Sequence, residues 1–185
     1  MVNKVLVFHK NKRSIVRCVD MSENISHLRE LLLKKGKTMA EGKKIATVVT
    51  CMDCRLHRPD AQQYEQLCSL LGVDDCYIDT EAGPDGAVLH DTDRCCGTVQ
   101  NLVIIKEAKQ PDVVAIVAHY DCAGHSVSDT QHDADVVAAA EKLSQEIFQR
   151  LGMVVPLIAY QNPDEGNGPS WLLKRMDVAK SIAAE

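Results

Sequence analysis

Aromatic residues are scarce in this 185-residue chain: two phenylalanines, four tyrosines and one tryptophan, 4% in all. Few are therefore available to wall an apolar pocket. Positive charge is not in surplus either. With 21 Lys and Arg against 26 Asp and Glu the net charge is −5, which argues against a nucleic-acid or anionic-membrane partner, since either calls for a basic face. No apolar run approaches the ~18 residues of a membrane span. The first twelve residues hold only the short run Val5–Phe8 and do not read as a secretory signal. A reducing cytoplasm is the expected compartment. Internal repeats, low-complexity tracts and linkers are also missing, so the chain reads as an arm or helix over residues 1–40 followed by a single α/β domain over 41–185.

What is present is ordinary globular material, 45% hydrophobic and 25% charged, together with eight cysteines. A chain of this size buries roughly 70% of its unfolded surface and needs neither disulfide nor metal merely to fold. In a reducing compartment the cysteines point instead to metal ligation or catalysis.

Apolar runs that read as strands occur at Ile45–Val49, Cys76–Asp79, Val113–Ala118 and Val154–Tyr160. Helical spacing appears from Ser22 or Asn24 to about Lys35, from Pro59 to Gly72, and over Asp93–Lys109, Ala134–Leu151 and Ser170–Ala184. The stretches Thr80–Gly86 and Gly124–His132 read as loops. Short apolar strands alternating with longer helices predict an α/β fold, a mainly parallel β-sheet flanked by helices. In such folds ligands bind beyond the carboxyl ends of the strands.

Two strand ends carry the chemistry. The first run opens into Cys51-Met52-Asp53-Cys54-Arg55, the third into His119-Tyr120-Asp121-Cys122. Cys51, His119 and Cys122 make a Cys₂His donor set suited to zinc, with the fourth tetrahedral position left for water, as in a catalytic site. Zinc lowers the pKa of a bound water from ~16 towards ~7. Asp53 and Arg55, two residues apart, point the same way in an extended loop and can pair. Arg55 would then hold Asp53 ionised, and Asp53 would orient the zinc-bound hydroxide. Freed from Arg55, Asp53 could itself take the fourth position and close the site. Two other readings stay open: Cys51, Cys54, His119 and Cys122 as a closed structural zinc site, and Cys51-x-x-Cys54 as a thioredoxin-like redox pair.

The remaining candidates have plainer readings. Cys18, Cys68 and Cys76 fit core positions, where free cysteine behaves as a small hydrophobe. Cys95-Cys96 opens a helix, one of the two being a candidate for a place near the metal. His57, His90, His125 and His132 are expected at the surface, His125 being near enough to Cys122 to shuttle protons. Asp121 is expected to shape its loop by bonding backbone amides.

Taken in this order, Cys51-x-Asp53-x-Arg55 and His119-x-x-Cys122 resemble the zinc site of the β-class carbonic anhydrases, and Glu81-Ala82-Gly83 resembles that family's Asn-Ala-Gly loop. The resemblance covers about residues 40–160 and points to a divergent branch. Cys54 stands where the family has Ser, Ala123-Gly124 where it has Gly, and Glu81 where it has Asn. It implies one zinc per chain on Cys51, His119 and Cys122, an Asp53–Arg55 dyad, and reversible hydration of CO₂ to bicarbonate. A homodimer or larger homo-oligomer is implied as well, since the family's pockets form between subunits. A carbon disulfide or carbonyl sulfide hydrolase on the same site, and a catalytically silent zinc-holding relative, are the alternatives.

Overall fold

The computed structural model describes residues 43–177 except 152 and 165. The arm and helix expected over residues 1–40, with Cys18, lie outside the described residues.

Five strands form one sheet in the order β2-β1-β3-β4-β5. They are β1 (Ile45–Cys51), β2 (Asp75–Glu81), β3 (Val113–His119), β4 (Val154–Gln161) and β5 (Trp171–Arg175). The first four run parallel and β5 is antiparallel to β4. The fold is thus α/β with a mainly parallel sheet, as the alternation of apolar runs and helical spacing predicts. β1 and β3 are buried almost throughout, as befits central strands covered on both faces.

The helices are α1 (Gln63–Leu71), α2 (Pro84–His90), α3 (Thr92–Lys109) and α4 (Asp129–Leu151). The chain leaves β1 for β2 on one side and then returns past β1 to β3 on the other. Crossovers of one hand therefore place α1 on one face of the sheet and α2 to α4 on the opposite face. Each face has its own core. Leu56, Leu67, Ala115, Val117, Leu157 and Trp171 belong to the α1 side. Val88, Leu102, Ile116, Val136, Leu143 and Ile158 belong to the other. Each fully buried Leu or Ile side chain stabilises the fold by about 2 kcal/mol. The reversal of strand order falls between β1 and β3. That is the topological switch point, where α/β sheets open a crevice at their carboxyl ends.

Four local expectations are corrected. The helix expected from Pro59 is a 3₁₀ turn, Pro59–Ala61, separated from α1 by Gln62 in a left-handed conformation (φ 48°). The Thr80–Gly86 loop contains the start of α2, because Pro84 fills a first-turn position where its missing N–H costs nothing. The loop after Gly124 ends at Asp129, where Ser128 Oγ accepts the Gln131 amide at 3.2 Å; Ser-x-x-Gln is a capping-box pattern. Most consequentially, Trp171–Arg175 is a strand and not the start of a final helix. The turn holding Gly166 (φ 100°) and Gly168 (φ 95°) folds the chain back along β4. Gln66 then fixes the new edge, donating to Trp171 O at 2.7 Å and accepting from Leu173 N at 2.9 Å.

Candidate metal centre

Cys51 is the last residue of β1 and His119 the last of β3, so neighbouring strands deliver both to the switch-point crevice. Cys122 follows three residues later in the loop after β3. All three are buried, and one donor atom from each lies within 4.8 Å of the others. The two Sγ atoms stand 3.7 Å apart, close to the ~3.8 Å tetrahedral edge that Zn–S bonds of ~2.3 Å would span.

His119 is oriented for ligation. Its Nδ1 lies 2.7 Å from the Tyr120 carbonyl oxygen, so Nδ1 carries the hydrogen and Nε2 the lone pair. That Nε2 is buried without a hydrogen-bond partner among the described residues, on a side chain with 0% exposure. A buried imidazole nitrogen left free costs about 1–3 kcal/mol. The donor set, its spacing and this free nitrogen all fit a zinc ion.

The two hydrogen-bonded thiols are pulled in opposite directions. Cys51 is lowered to about 4, first by the hydrogen bond from Cys122; burial opposes this, while His119 and the Gly83 and Asp53 amides add to it. Cys122 is pushed up, first by its hydrogen bond to Cys51 and then by burial. Burial is the largest influence on His119 and pulls it down, but the neighbouring Cys51, the Tyr120 carbonyl and the charge of Asp53 carry the net shift upward.

Asp53 and Arg55 form the pair that their spacing predicts. Arg55 Nε donates to Asp53 Oδ1 at 3.1 Å and Oδ2 at 3.0 Å, and Nη2 donates to Oδ2 at 2.7 Å. The Arg55 amide adds a bond to Oδ1 at 2.9 Å. Arg55 thereby holds the Asp53 carboxyl down at about 2. Asp53 Oδ2 lies 3.9 Å from His119 Nε2, so the dyad borders the ligand cluster. Asp121 behaves differently from its expected amide-bonding role. It adopts a left-handed φ of 56°, accepting from Arg55 Nη1 through Oδ2 at 2.8 Å and from Nη2 through its carbonyl at 3.0 Å. Arg55 thus ties the loop after β1 to the loop after β3.

Backbone contact closes the crevice floor. A Cβ on Gly83 (φ +54°) would lie 2.6 Å from Gly124 C and 2.7 Å from Gly124 O, and one on Gly124 would lie 2.7 Å from Gly83 N. Ala82-Gly83 and Gly124 therefore pack main chain against main chain, which only glycine permits. Glu81, where the Glu81-Ala82-Gly83 loop departs from the pattern it resembles, pairs with Arg94 at 2.6 Å, and Arg94 also donates to the Ala82 carbonyl. The departure at Glu81 has a partner on α3.

Four candidates from the sequence stay outside the cluster. Cys54 is exposed and is in no group of converging donors among the described residues. Cys95 lies in the core beneath α3 and Cys96 is exposed. His57 instead braces the loop, its Nε2 2.8 Å from the Cys51 carbonyl oxygen. One neighbour is missing from the sequence expectations. Trp171, expected within the final helix Ser170–Ala184, sits edge-on to His119 with ring centroids 5.7 Å apart, and Arg55 Cζ lies 5.4 Å from its ring centroid. Its being the single tryptophan was the one signal available.

A family model described as "Putative carbonic anhydrase" matches residues 41–159, a span that includes Cys51, Asp53, Arg55, His119 and Cys122. No curated protein matches the sequence. Among solved structures, the β-carbonic anhydrase CafA of the fungal pathogen Aspergillus fumigatus aligns with a TM-score of 0.44 and 17% identity over 87% of this chain and 88% of that one. With well over half of its length inside the family match, including every member of the buried cluster, the chain belongs to the family described as putative carbonic anhydrases.

Proposed function

We propose that Cys51, His119 and Cys122 hold one zinc ion and that the chain reversibly hydrates CO₂ to bicarbonate, with Asp53 and Arg55 as the working dyad. The observation that carries the reading is the buried His119 Nε2, without a hydrogen-bond partner among the described residues and bordered by two thiols 3.7 Å apart and by the Asp53–Arg55 pair. When bound, zinc supplies a Lewis acid that brings the pKa of water towards ~7 and so makes hydroxide available at neutral pH.

The chain's own residues supply the rest. The Tyr120 carbonyl fixes the His119 tautomer and aims Nε2 into the cluster. Arg55 keeps Asp53 acceptor-only and immobile through three side-chain hydrogen bonds. Asp53 accepts the O–H of the nucleophilic water and turns its lone pair towards CO₂. Because Arg55 and its own loop amide hold the carboxylate, Asp53 is kept off the fourth ligand position while the dyad is intact. The indole of Trp171 limits water around His119 and gives an apolar CO₂ molecule a surface to lie against.

The test is a zinc count on protein purified without chelators, followed by stopped-flow CO₂ hydration on wild type and Asp53→Asn. At least one zinc per chain with hydration well above buffer, reduced in the variant, is expected. Zinc-loaded protein with no rate above buffer would overturn the catalytic reading, and protein without zinc would overturn the metal reading as well.

A further inference from the structure

A second group of metal-type donors gathers between α2 and α4. Asp85 is the second residue of α2, His132 lies in the first turn of α4, and His125 sits in the loop between Cys122 and Ser128. One donor atom from each lies within 4.8 Å of the others. This corrects the surface placement expected for His132: Asp85 and His132 are both 0% exposed, with His132 Nδ1 2.8 Å from Asp85 Oδ2.

That pair is unfinished. Asp85 Oδ1 and His132 Nε2 are both buried without a hydrogen-bond partner among the described residues. If His132 is neutral, a fully buried carboxylate lacks a counter-charge and the Nε2 lone pair has no donor to accept from. If His132 is protonated, a buried N–H has nothing to donate to. Either state leaves buried polar groups unpaired, a cost that proteins seldom carry without a ligand or a function.

The third donor is set up to join them. His125 Nε2 is held 2.7 Å from Asp135 Oδ2, and Asp135 Oδ1 accepts from Gln131 Nε2 at 2.7 Å. With Nε2–H given to Asp135, Nδ1 keeps the lone pair, the carboxylate–histidine arrangement that orients metal-binding imidazoles. Nδ1 faces Gly86: a Cβ there would come within 2.5 Å of it, so glycine keeps that nitrogen accessible. The His125 and His132 rings stand nearly perpendicular (82°) with centroids 5.4 Å apart. Two imidazoles on one tetrahedral ion with Zn–N bonds of ~2.0–2.1 Å would place their centroids at roughly 5 Å. His90, exposed at the end of α2, has its ring 5.7 Å from that of His125.

We infer that Asp85, His125 and His132 form a second cation site, for a divalent ion of the zinc, cobalt or nickel class, with Asp135 orienting His125. Two imidazoles and a carboxylate, with no thiolate, are the donors such ions take. Bound there, the ion would clamp α2 and α4 to the loop that carries Cys122. The inference does not depend on what the Cys51 cluster does.

The test is a Co²⁺ titration of chelator-stripped protein, read by metal count and absorption. Wild type should take two ions per chain, only one of which produces a near-ultraviolet thiolate-to-cobalt charge-transfer band. A Cys51→Ser/Cys122→Ser double variant should keep one ion, without that band, and its melting temperature should rise by a few degrees on loading. Adding Asp85→Asn, or separately His132→Gln, should abolish the remaining ion and the melting shift while far-ultraviolet dichroism stays the same. A double variant that binds no cobalt, or an ion that survives Asp85→Asn, would overturn the site. One ion in wild type that survives loss of both thiols but not Asp85→Asn would uphold it and sink the Cys51 centre instead.

Discussion

Two cysteine pairs in this protein have the same separation and opposite chemistry. Cys51 and Cys122 hold their sulfurs 3.7 Å apart, and so do Cys68 and Cys76. Yet Cys51 falls to about 4, pulled first by its hydrogen bond from Cys122, whereas Cys76 rises to about 12, pushed first by burial. Distance between thiols therefore does not make a metal centre. At Cys51 a histidine and two backbone amides converge on the sulfur. Cys76 has only the Cys68 thiol, the Asp75 charge and an apolar wall, all of which disfavour a thiolate.

The largest expected effect breaks one pair and leaves the other as control. His119→Ala or Cys122→Ser should remove the zinc ion of the Cys51 cluster and lower CO₂ hydration at least ~10³-fold, since the nucleophile is no longer generated at neutral pH. Cys68→Ser should leave the zinc count at its wild-type value. Equal zinc loss in both sets would show that the two pairs are not distinct. One step down, Asp53→Asn should retain zinc and lose about 10²-fold in hydration. Arg55→Lys, which keeps the charge but not the fork, should cost roughly 10-fold, measured on the same zinc-loaded protein.

The Gly83 amide is one of the things Cys51 has and Cys76 lacks. Gly83→Ala should destabilise the fold by about 2–4 kcal/mol in a denaturant melt, because the clash is with Gly124 backbone and φ is positive. Gly97 is the internal reference. It is exposed in α3 with nothing within 4 Å of an added Cβ, so Gly97→Ala should stabilise by about 0.5–1 kcal/mol. A Gly83→Ala variant as stable as wild type would remove the close approach from the account of the site.

Much of this was legible in the sequence because strand ends are legible. The runs before Cys51 and His119 are apolar on both faces, which marks central parallel strands, and spacing then fixes which residues leave the sheet together. Asp53 and Arg55 follow from an every-second-residue pattern in an extended loop. Other elements were hidden by what propensity cannot see. Gly83-Pro84-Asp85-Gly86 reads as a turn, although Pro84 starts a helix and Gly86 is required by the His125 ring. The first turn of α4 is polar, so its start was missed despite the Ser128–Gln131 cap, and the burial of His132 was missed with it. Trp171-Leu172-Leu173 suits a helix or an edge strand equally well. Pairing with β4 and capture by Gln66 decide between them, and both are tertiary facts.

A subtler expected effect concerns the other pair, Cys68 and Cys76. The folded state raises the Cys76 thiol to about 12, against ~8.5 in an unfolded chain. A raised pKa means that folding favours the protonated form. That contribution is complete below ~8.5 and is lost as pH climbs from there towards 12, because only the unfolded chain ionises in that window. The slope is about 1.4 kcal/mol per pH unit for one such group. Wild type should therefore lose about 1–2 kcal/mol more than Cys76→Ala between pH 8.5 and pH 10 in urea melts, after the variant's constant packing loss is subtracted. The lysine and tyrosine titrations common to both proteins cancel in that difference. Parallel curves would mean that Cys76 ionises as easily in the fold as out of it. The contrast with Cys51 would then rest on the ligand geometry alone.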